Sequence, residues 1–515
     1  MSFKDRIVEG SRKVLLNPGV MRLVSDDRVM KAAEGVMDAR SRVKAAWSVL
    51  LNGHALPNVD PALDVLETEK PKPAVKNGNG VSHVNGSAKA AGPPIVTGSN
   101  DMDESLRERT SLSAIGGRDV FEKCFKFMAA DNARKMGIYP FFRPLDLNDG
   151  PEAEINGKRV VMLGSNNYLG LTTHPKVRQA AQEAIERFGT SMTGSRLVNG
   201  SMKLHEQFEE KLAAFFGKES ALVFTTGYQV NLATCSALLS NKKTVAVIDR
   251  NVHASLYDGA RLGQAAGARM VRYRHSDPDS LDQVLEKLDA GEGALVITDG
   301  VFSAEGEIAK LDQIVPVVKK HGARLLVDDA HALGVIGPCG RGTAHHFGLS
   351  DQVDLIGGTF SKSFASIGGW LVGERKVLDY IRHFAPSFMF AASAAPPCVA
   401  AAMSALEVMQ EESWRIDKLR ENYTYMRDEL RKLGFELGHT ETAVIPIYVR
   451  QDLRTIMMWR DLLEDHGIYT NPFISPGVPP KHQMLRTSYM ATHERAHLDR
   501  ALEAFQAVGK KYGVI

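Results

Sequence analysis

Lys362 stands in the run "IGGTFSKSFASIGG" (Ile356 to Gly369), among three serines, one threonine and four glycines. An amine in such company is either a solvated surface charge or a reactive group in a small polar pocket. In the second case the glycines let backbone approach a ligand, the hydroxyls meet an anion and the amine does chemistry. Other runs decide between the two. In "TTGYQVN", Gly227 and Tyr228 follow an apolar run and lead into a helical one. Free backbone N–H groups at a helix N-terminus make an anion site. "GGTFSKS" sets the hydroxyls of Thr359 and Ser361 beside Lys362, suited to a phosphate. "VDDAH" puts two carboxylates, Asp328 and Asp329, at the end of another apolar run, with His331 just beyond. "NVHAS" places His253 after a further run. Taken singly, each has a plain structural reading: a turn glycine, a hydrogen-bonded Asp–His pair, one histidine among many.

Taken together they fit one cofactor. Pyridoxal phosphate needs a lysine for a Schiff base, a carboxylate to keep its pyridine nitrogen protonated, a phosphate cradle and a ring against its face. The strand-end alternation alone does not choose Asp328 over Asp329.

Something must hold these residues at one place. The runs "ALVFTTG", "TVAVIDR", "ALVITDG", "RLLVDDAH", "VDLIGGTF" and "GWLVG" read as buried strands, alternating with helix-length segments such as "SLDQVLEKLDA". That alternation predicts βαβ units and a mainly parallel sheet of the α/β class. Sites in such sheets collect at the carboxyl ends of the strands, where these polar residues lie. After about Pro397 helices dominate, with "AVIPIYV" and "QMLRTSYM" as strands of a smaller domain. Residues 1–70 read as an N-terminal helical extension, with apolar stripes within 1–56. Residues 71–108 are rich in Gly, Asn, Ser and Pro and read as a disordered linker.

Composition sets bounds. A formal net charge of +2 gives no footprint for nucleic acid. Four scattered cysteines without a CxxC pair predict neither a zinc site nor a disulfide framework, and so a reducing cytoplasm. No signal peptide or membrane-spanning run is read.

From about Phe121 to the C-terminus the chain resembles the α-oxoamine synthases, through "GSNNYLGL", "GTSMTGSRLVNGSMKLHEQFEEKLAAFFG", "TTGYQVN", "NVHASLYDGARL", "TDGVFSAEGEIAKL", "VDDAHALGVIGPCGRG", "GTFSKS" and "LRTSYMATH". Those enzymes condense an amino acid with an acyl thioester and lose CO2. The resemblance implies a fold-type I pyridoxal phosphate transferase with a mainly parallel seven-stranded sheet. Its large domain would span 166–396, and the small domain 109–165 and 397–515. It implies Lys362 as Schiff-base lysine and acid–base catalyst, Asp328 on the pyridine nitrogen, His331 on the phenolic oxygen and His253 on the ring face. Gly227, Tyr228, Thr359 and Ser361 would hold the phosphate, with Ser303 close to the ring. Arg486 would bind the substrate carboxylate through a two-pronged contact, with Asn166 at the same end of the site.

It also implies a homodimer with the site at the subunit interface, and L-serine with a long-chain acyl thioester, carried on coenzyme A or acyl carrier protein, as substrates. Glycine and alanine are the alternative amino acids. A non-catalytic partner subunit is an alternative of another class, disfavoured by the presence of Lys362. For residues 1–56 two readings stand: a hairpin packing on itself or on the body, or a contact with a membrane surface or carrier protein. Two departures from relatives matter. "TNPFISPGVPP" holds no arginine where many relatives have one, and Ala391 replaces a hydroxyl residue expected to reach a neighbouring subunit's phosphate.

Overall fold

The computed structural model describes residues 118–515. The helical extension, the linker and the start of the 109–165 segment lie outside the described residues. The chain divides into two units, Met1–Tyr139 and Pro140–Ile515. The described part of the first holds two short helices, Glu122–Lys126 and Ala129–Met136.

The second unit begins with three antiparallel strands, β1 (Leu147–Asp149), β2 (Glu152–Ile155) and β3 (Lys158–Met162). The main sheet follows: β4 (Ser220–Phe224), β5 (Thr244–Asp249), β6 (Arg269–Tyr273), β7 (Gly293–Asp299), β8 (Arg324–Asp328), β9 (Leu355–Thr359) and β10 (Gly369–Gly373). Its order is β4-β10-β9-β8-β7-β5-β6. All neighbours run parallel except β10, which is antiparallel to both β4 and β9. The interior strands are apolar on both faces because helices cover both, as parallel sheets require. Leu222, Ile248, Ile297, Leu326 and Leu371 share one core with Val230 and Leu256 from the covering helices. Each such fully buried side chain contributes about 1.5–3 kcal/mol.

Six of these strands match the expected runs. The seventh, β6, is an edge strand of sequence "RMVRY", mostly half-exposed, and its two arginines conceal it from a search for apolar runs.

The last strands are β11 (Val444–Tyr448), β12 (Ile468–Tyr469), β13 (Asn471–Phe473) and β14 (Met484–Ser488). β11, β14 and β13 form an antiparallel sheet in that order. β12 returns to pair in parallel with β3, Ile468 opposite Val161. Among the described residues no helix is long and apolar enough to cross a membrane.

Candidate active site

The register of the main sheet gathers the site. Asp299 at the end of β7 lies opposite Asp328 at the end of β8, and Asp328 opposite Gly357 in β9. Lys362 follows directly in the loop from β9 to β10. Not all the glycines around it admit a ligand. A Cβ on Gly358 would stand 2.9 Å from the ring of Trp370, which stacks on Phe216 at 4.3 Å between centroids. Gly358 is small to seat that tryptophan.

Burial brings the Lys362 amine down to about 8. The carboxylates of Asp328 and Asp299 oppose that shift, and the Arg486 guanidinium adds to it. A half-buried lysine with lowered basicity among opposed charges marks a reactive site rather than a surface charge.

Asp328 is buried, 6% exposed, and well supplied with donors. Its Oδ2 accepts from the Asn231 side-chain amide at 2.7 Å and its Oδ1 from the Ala330 N–H at 3.0 Å. Each oxygen keeps a lone pair free. Asp329 faces elsewhere: its carboxyl accepts the Thr343 N–H at 2.9 Å, and burial pushes it up to about 7. Burial and the adjacent Asp328 hold Asp299 well above the usual carboxylate range.

Two helices start at the strand ends, α1 (Gly227–Leu238) after β4 and α2 (Ala254–Ala265) after β5. Thr226 caps α1, its hydroxyl accepting the Gln229 N–H at 3.2 Å. A Cβ on Gly227 would lie 2.6 Å from the Thr359 Cβ, so only glycine lets the first turn of α1 meet the β9 end. Thr359 Oγ1 is 2.8 Å from Ser361 Oγ and donates to the Gly368 carbonyl at 3.0 Å. The hydroxyls of Thr359 and Ser361 thus stand beside a helix N-terminus, the requirement for an anion cradle. Tyr228, half-exposed, donates its hydroxyl to Asp258.

His253 caps α2, and burial lowers its basicity. His331 is buried with its Nδ1 2.7 Å from the Tyr168 hydroxyl, and burial holds it well below the usual imidazole range. Arg486 on β14 is 3% exposed. Both its terminal nitrogens donate to Asn166 Oδ1 at 3.1 Å, and its Nε donates to the Ser303 carbonyl at 2.6 Å. Ser303 meets Arg486 through its backbone carbonyl. Beside Ala391, the Ala392 carbonyl accepts the Thr225 hydroxyl at 2.6 Å.

Three residues escape the sequence reading: Tyr168, Asn231 and Ser255. All are buried and neutral, and all sit inside the quoted motifs "GSNNYLGL", "TTGYQVN" and "NVHAS". Nothing in the spacing of a neutral hydrogen-bonding side chain separates it from core.

The aminotransferase class I and II family matches residues 158–505. A serine palmitoyltransferase from Sphingobacterium spiritivorum is 42% identical over 390 residues, spanning 76% of this chain and 96% of the relative. The chain belongs to that family, in its α-oxoamine synthase branch. An 8-amino-7-oxononanoate synthase from Thermoanaerobacter pseudethanolicus, another α-oxoamine synthase, is 38% identical over 386 residues, 75% of this chain and 96% of the relative. A solved structure described as SPT with its PLP internal aldimine superposes with a TM-score of 0.74 at 36% identity, covering 77% of this chain and 100% of that one. The chain therefore has the fold-type I pyridoxal phosphate transferase fold, with its mainly parallel seven-stranded sheet.

Proposed function

We propose that this chain is a pyridoxal phosphate-dependent C-acyltransferase. It joins L-serine to a long-chain acyl thioester, releasing CO2 and free thiol and forming 3-ketosphinganine, the first step of sphingolipid synthesis. The observation that carries this reading is the placing of Asp299, Asp328 and Lys362 at the adjoining ends of β7, β8 and β9. The 42% identity with a serine palmitoyltransferase supports the choice of amino acid.

The residues fit the cofactor. The side-chain-free approach at Gly227, with the Thr359 and Ser361 hydroxyls, suits a phosphate. Asp328 keeps lone pairs for a protonated ring nitrogen. His331, held on Tyr168, would meet the phenolic oxygen, and His253 the ring face. When bound, pyridoxal phosphate supplies a conjugated ring that accepts the electron pair left as a bond at the amino acid's Cα breaks. The chain's own residues do the rest. Lys362 Nζ takes the proton from Cα and returns one after CO2 has left. Arg486, aimed by Asn166 and the Ser303 carbonyl, binds the substrate carboxylate. No arginine is needed from the 470–480 loop for that contact.

A second copy of the chain completes the site in this reading. Leu197, Val198, Ile367 and Phe390 are apolar and 50%, 70%, 60% and 73% exposed. The loop carrying Leu197 and the segment carrying Phe390 are joined by a bridge between Ser195 and Ala392, and Ile367 lies in the Lys362 loop. An apolar face of this kind beside a site marks an interface.

Three substrate pairs test the reading: L-serine with palmitoyl-CoA, glycine with acetyl-CoA, and alanine with pimeloyl-CoA. Thiol release and product mass are read under one set of conditions. The serine pair should exceed the others at least about tenfold. A pocket that hydrogen-bonds a hydroxyl rejects substrates lacking it, and each buried methylene of the acyl chain contributes about 0.8 kcal/mol. A preference for either short-chain pair would move the chain to a sister α-oxoamine synthase activity.

A further inference from the structure

A chain of hydrogen bonds runs from Asp328 to His253 through two residues with no role so far. Asn231 on α1 is 3% exposed and Ser255 on α2 is 1% exposed. The Asn231 Nδ2 lies 2.7 Å from Asp328 Oδ2 and 2.8 Å from Ser255 Oγ. Ser255 Oγ lies 2.7 Å from His253 Nδ1, and the Ser255 N–H points at the same nitrogen from 3.3 Å.

The donors and acceptors can be assigned outward from the carboxylate. A carboxylate oxygen only accepts, so the group facing it must be the amide NH2 of Asn231. That NH2 has two hydrogens: one goes to Asp328 and the other to Ser255 Oγ. Ser255 Oγ, already accepting, has its own hydrogen left to give, and His253 Nδ1 is within reach. The Ser255 backbone N–H, which can only donate, points the same way. Two donors converge on Nδ1, so Nδ1 presents a lone pair.

We propose that Asn231 and Ser255 are positioning residues that fix His253 as a neutral imidazole with its proton on Nε2. Its consequence for catalysis rests on His253 facing the cofactor and substrate as read above. A neutral ring adds no positive charge to a pocket that already holds Lys362 and Arg486, and it presents one N–H as a directed donor. The groups around His253 agree. Asp299 accepts its backbone N–H at 3.2 Å, Tyr228 packs edge-on with centroids 6.3 Å apart, and Asp328, Asp258 and Lys362 are its charged neighbours. The two carboxylates favour a cation; Lys362 opposes it, and the two donors on Nδ1 leave that nitrogen no room for a proton.

The test is nitrogen-15 NMR of histidine-labelled holoenzyme, with the His253 signals assigned by their loss in His253→Gln. The expected spectrum shows Nδ1 unprotonated and Nε2 protonated at pH 7 to 8, with the ring gaining its second proton only below the free-histidine range. In Ser255→Ala the ring should titrate nearer the free-histidine value of about 6.5, and the KM for serine should rise about 5- to 10-fold with kcat within about threefold, the size of one lost hydrogen bond. A merely structural role would lower Tm and leave tautomer, titration and the KM–kcat split unchanged. A protonated Nδ1 in the unmodified enzyme, or a Ser255→Ala enzyme with unchanged tautomer and serine KM, overturns the proposal. His253→Phe tests the underlying reading separately. Full activity there would remove His253 from the site, while the NMR result still decides the tautomer.

Discussion

Lys362→Ala should cut thiol release by at least about 1,000-fold and abolish the visible absorbance of lysine-bound cofactor. A positioned acid–base group alone contributes about 100- to 10,000-fold, and in the proposed reading this lysine is also the covalent anchor. Cofactor should still bind through its phosphate, because the proposed cradle at Gly227, Thr359 and Ser361 does not involve the amine. The lowered basicity of Lys362 adds a second, independent expectation. Attack on an aldehyde requires the neutral amine, and the amine loses its proton near pH 8. Reconstitution of apoenzyme with pyridoxal phosphate should therefore accelerate as pH rises through about 8. Near-normal turnover of Lys362→Ala would remove the lysine from the chemistry.

Asp328→Asn should lower turnover about 100- to 1,000-fold, the scale of losing one preorganised electrostatic contact, with a far smaller loss of stability, about 1–3 kcal/mol for one broken buried hydrogen bond. Asn keeps the shape and can still accept from Ala330, but its NH2 then faces the Asn231 amide, and it cannot hold a ring nitrogen in its protonated form. Asp329→Asn should do the reverse: turnover within a few-fold, and an altered dependence of stability on pH. The folded-state value of Asp329 is raised to about 7, well above the value of about 3.9 for an unfolded chain. Between those values the folded state binds more protons than the unfolded state. Stability is therefore lost as pH rises from about 4 to 7, and Asn at this position should flatten that slope. Parallel turnover and Tm measurements on the two variants check the assignment. A dead Asp329→Asn beside an active Asp328→Asn would reverse it.

The contrast between these neighbours shows where sequence reasoning stops. Both carboxylates end the same apolar run, and alternation only says that they point to opposite faces. What separates them is Asn231, almost a hundred residues earlier, whose amide reaches one and not the other. The charged and ring-bearing residues were legible because strand ends in an alternating α/β chain share one edge. Asp328 with His331, Lys362 and His253 stand at the ends of three such strands, β8, β9 and β5. Tyr168, Asn231 and Ser255 were not, since a neutral buried side chain carries no charge, spacing or reactivity that marks it. The same holds for the fold. Buried interior strands announce themselves as unbroken apolar runs, whereas β6 mixes arginine into an exposed edge. The pairing of β12 with β3 closes a loop of about three hundred residues that no local pattern encodes.

The central claim, a decarboxylative condensation at Lys362, is tested most directly by a stoichiometry. Enzyme is supplied with carboxyl-labelled L-serine and palmitoyl-CoA, and labelled CO2, free thiol and amine product are counted in one vessel. The account predicts one CO2 and one thiol per molecule of 3-ketosphinganine, with CO2 and thiol release each requiring both substrates and all three lost in Lys362→Ala. CO2 released without thiol, or a keto acid formed from serine with its carboxyl label intact, would contradict it.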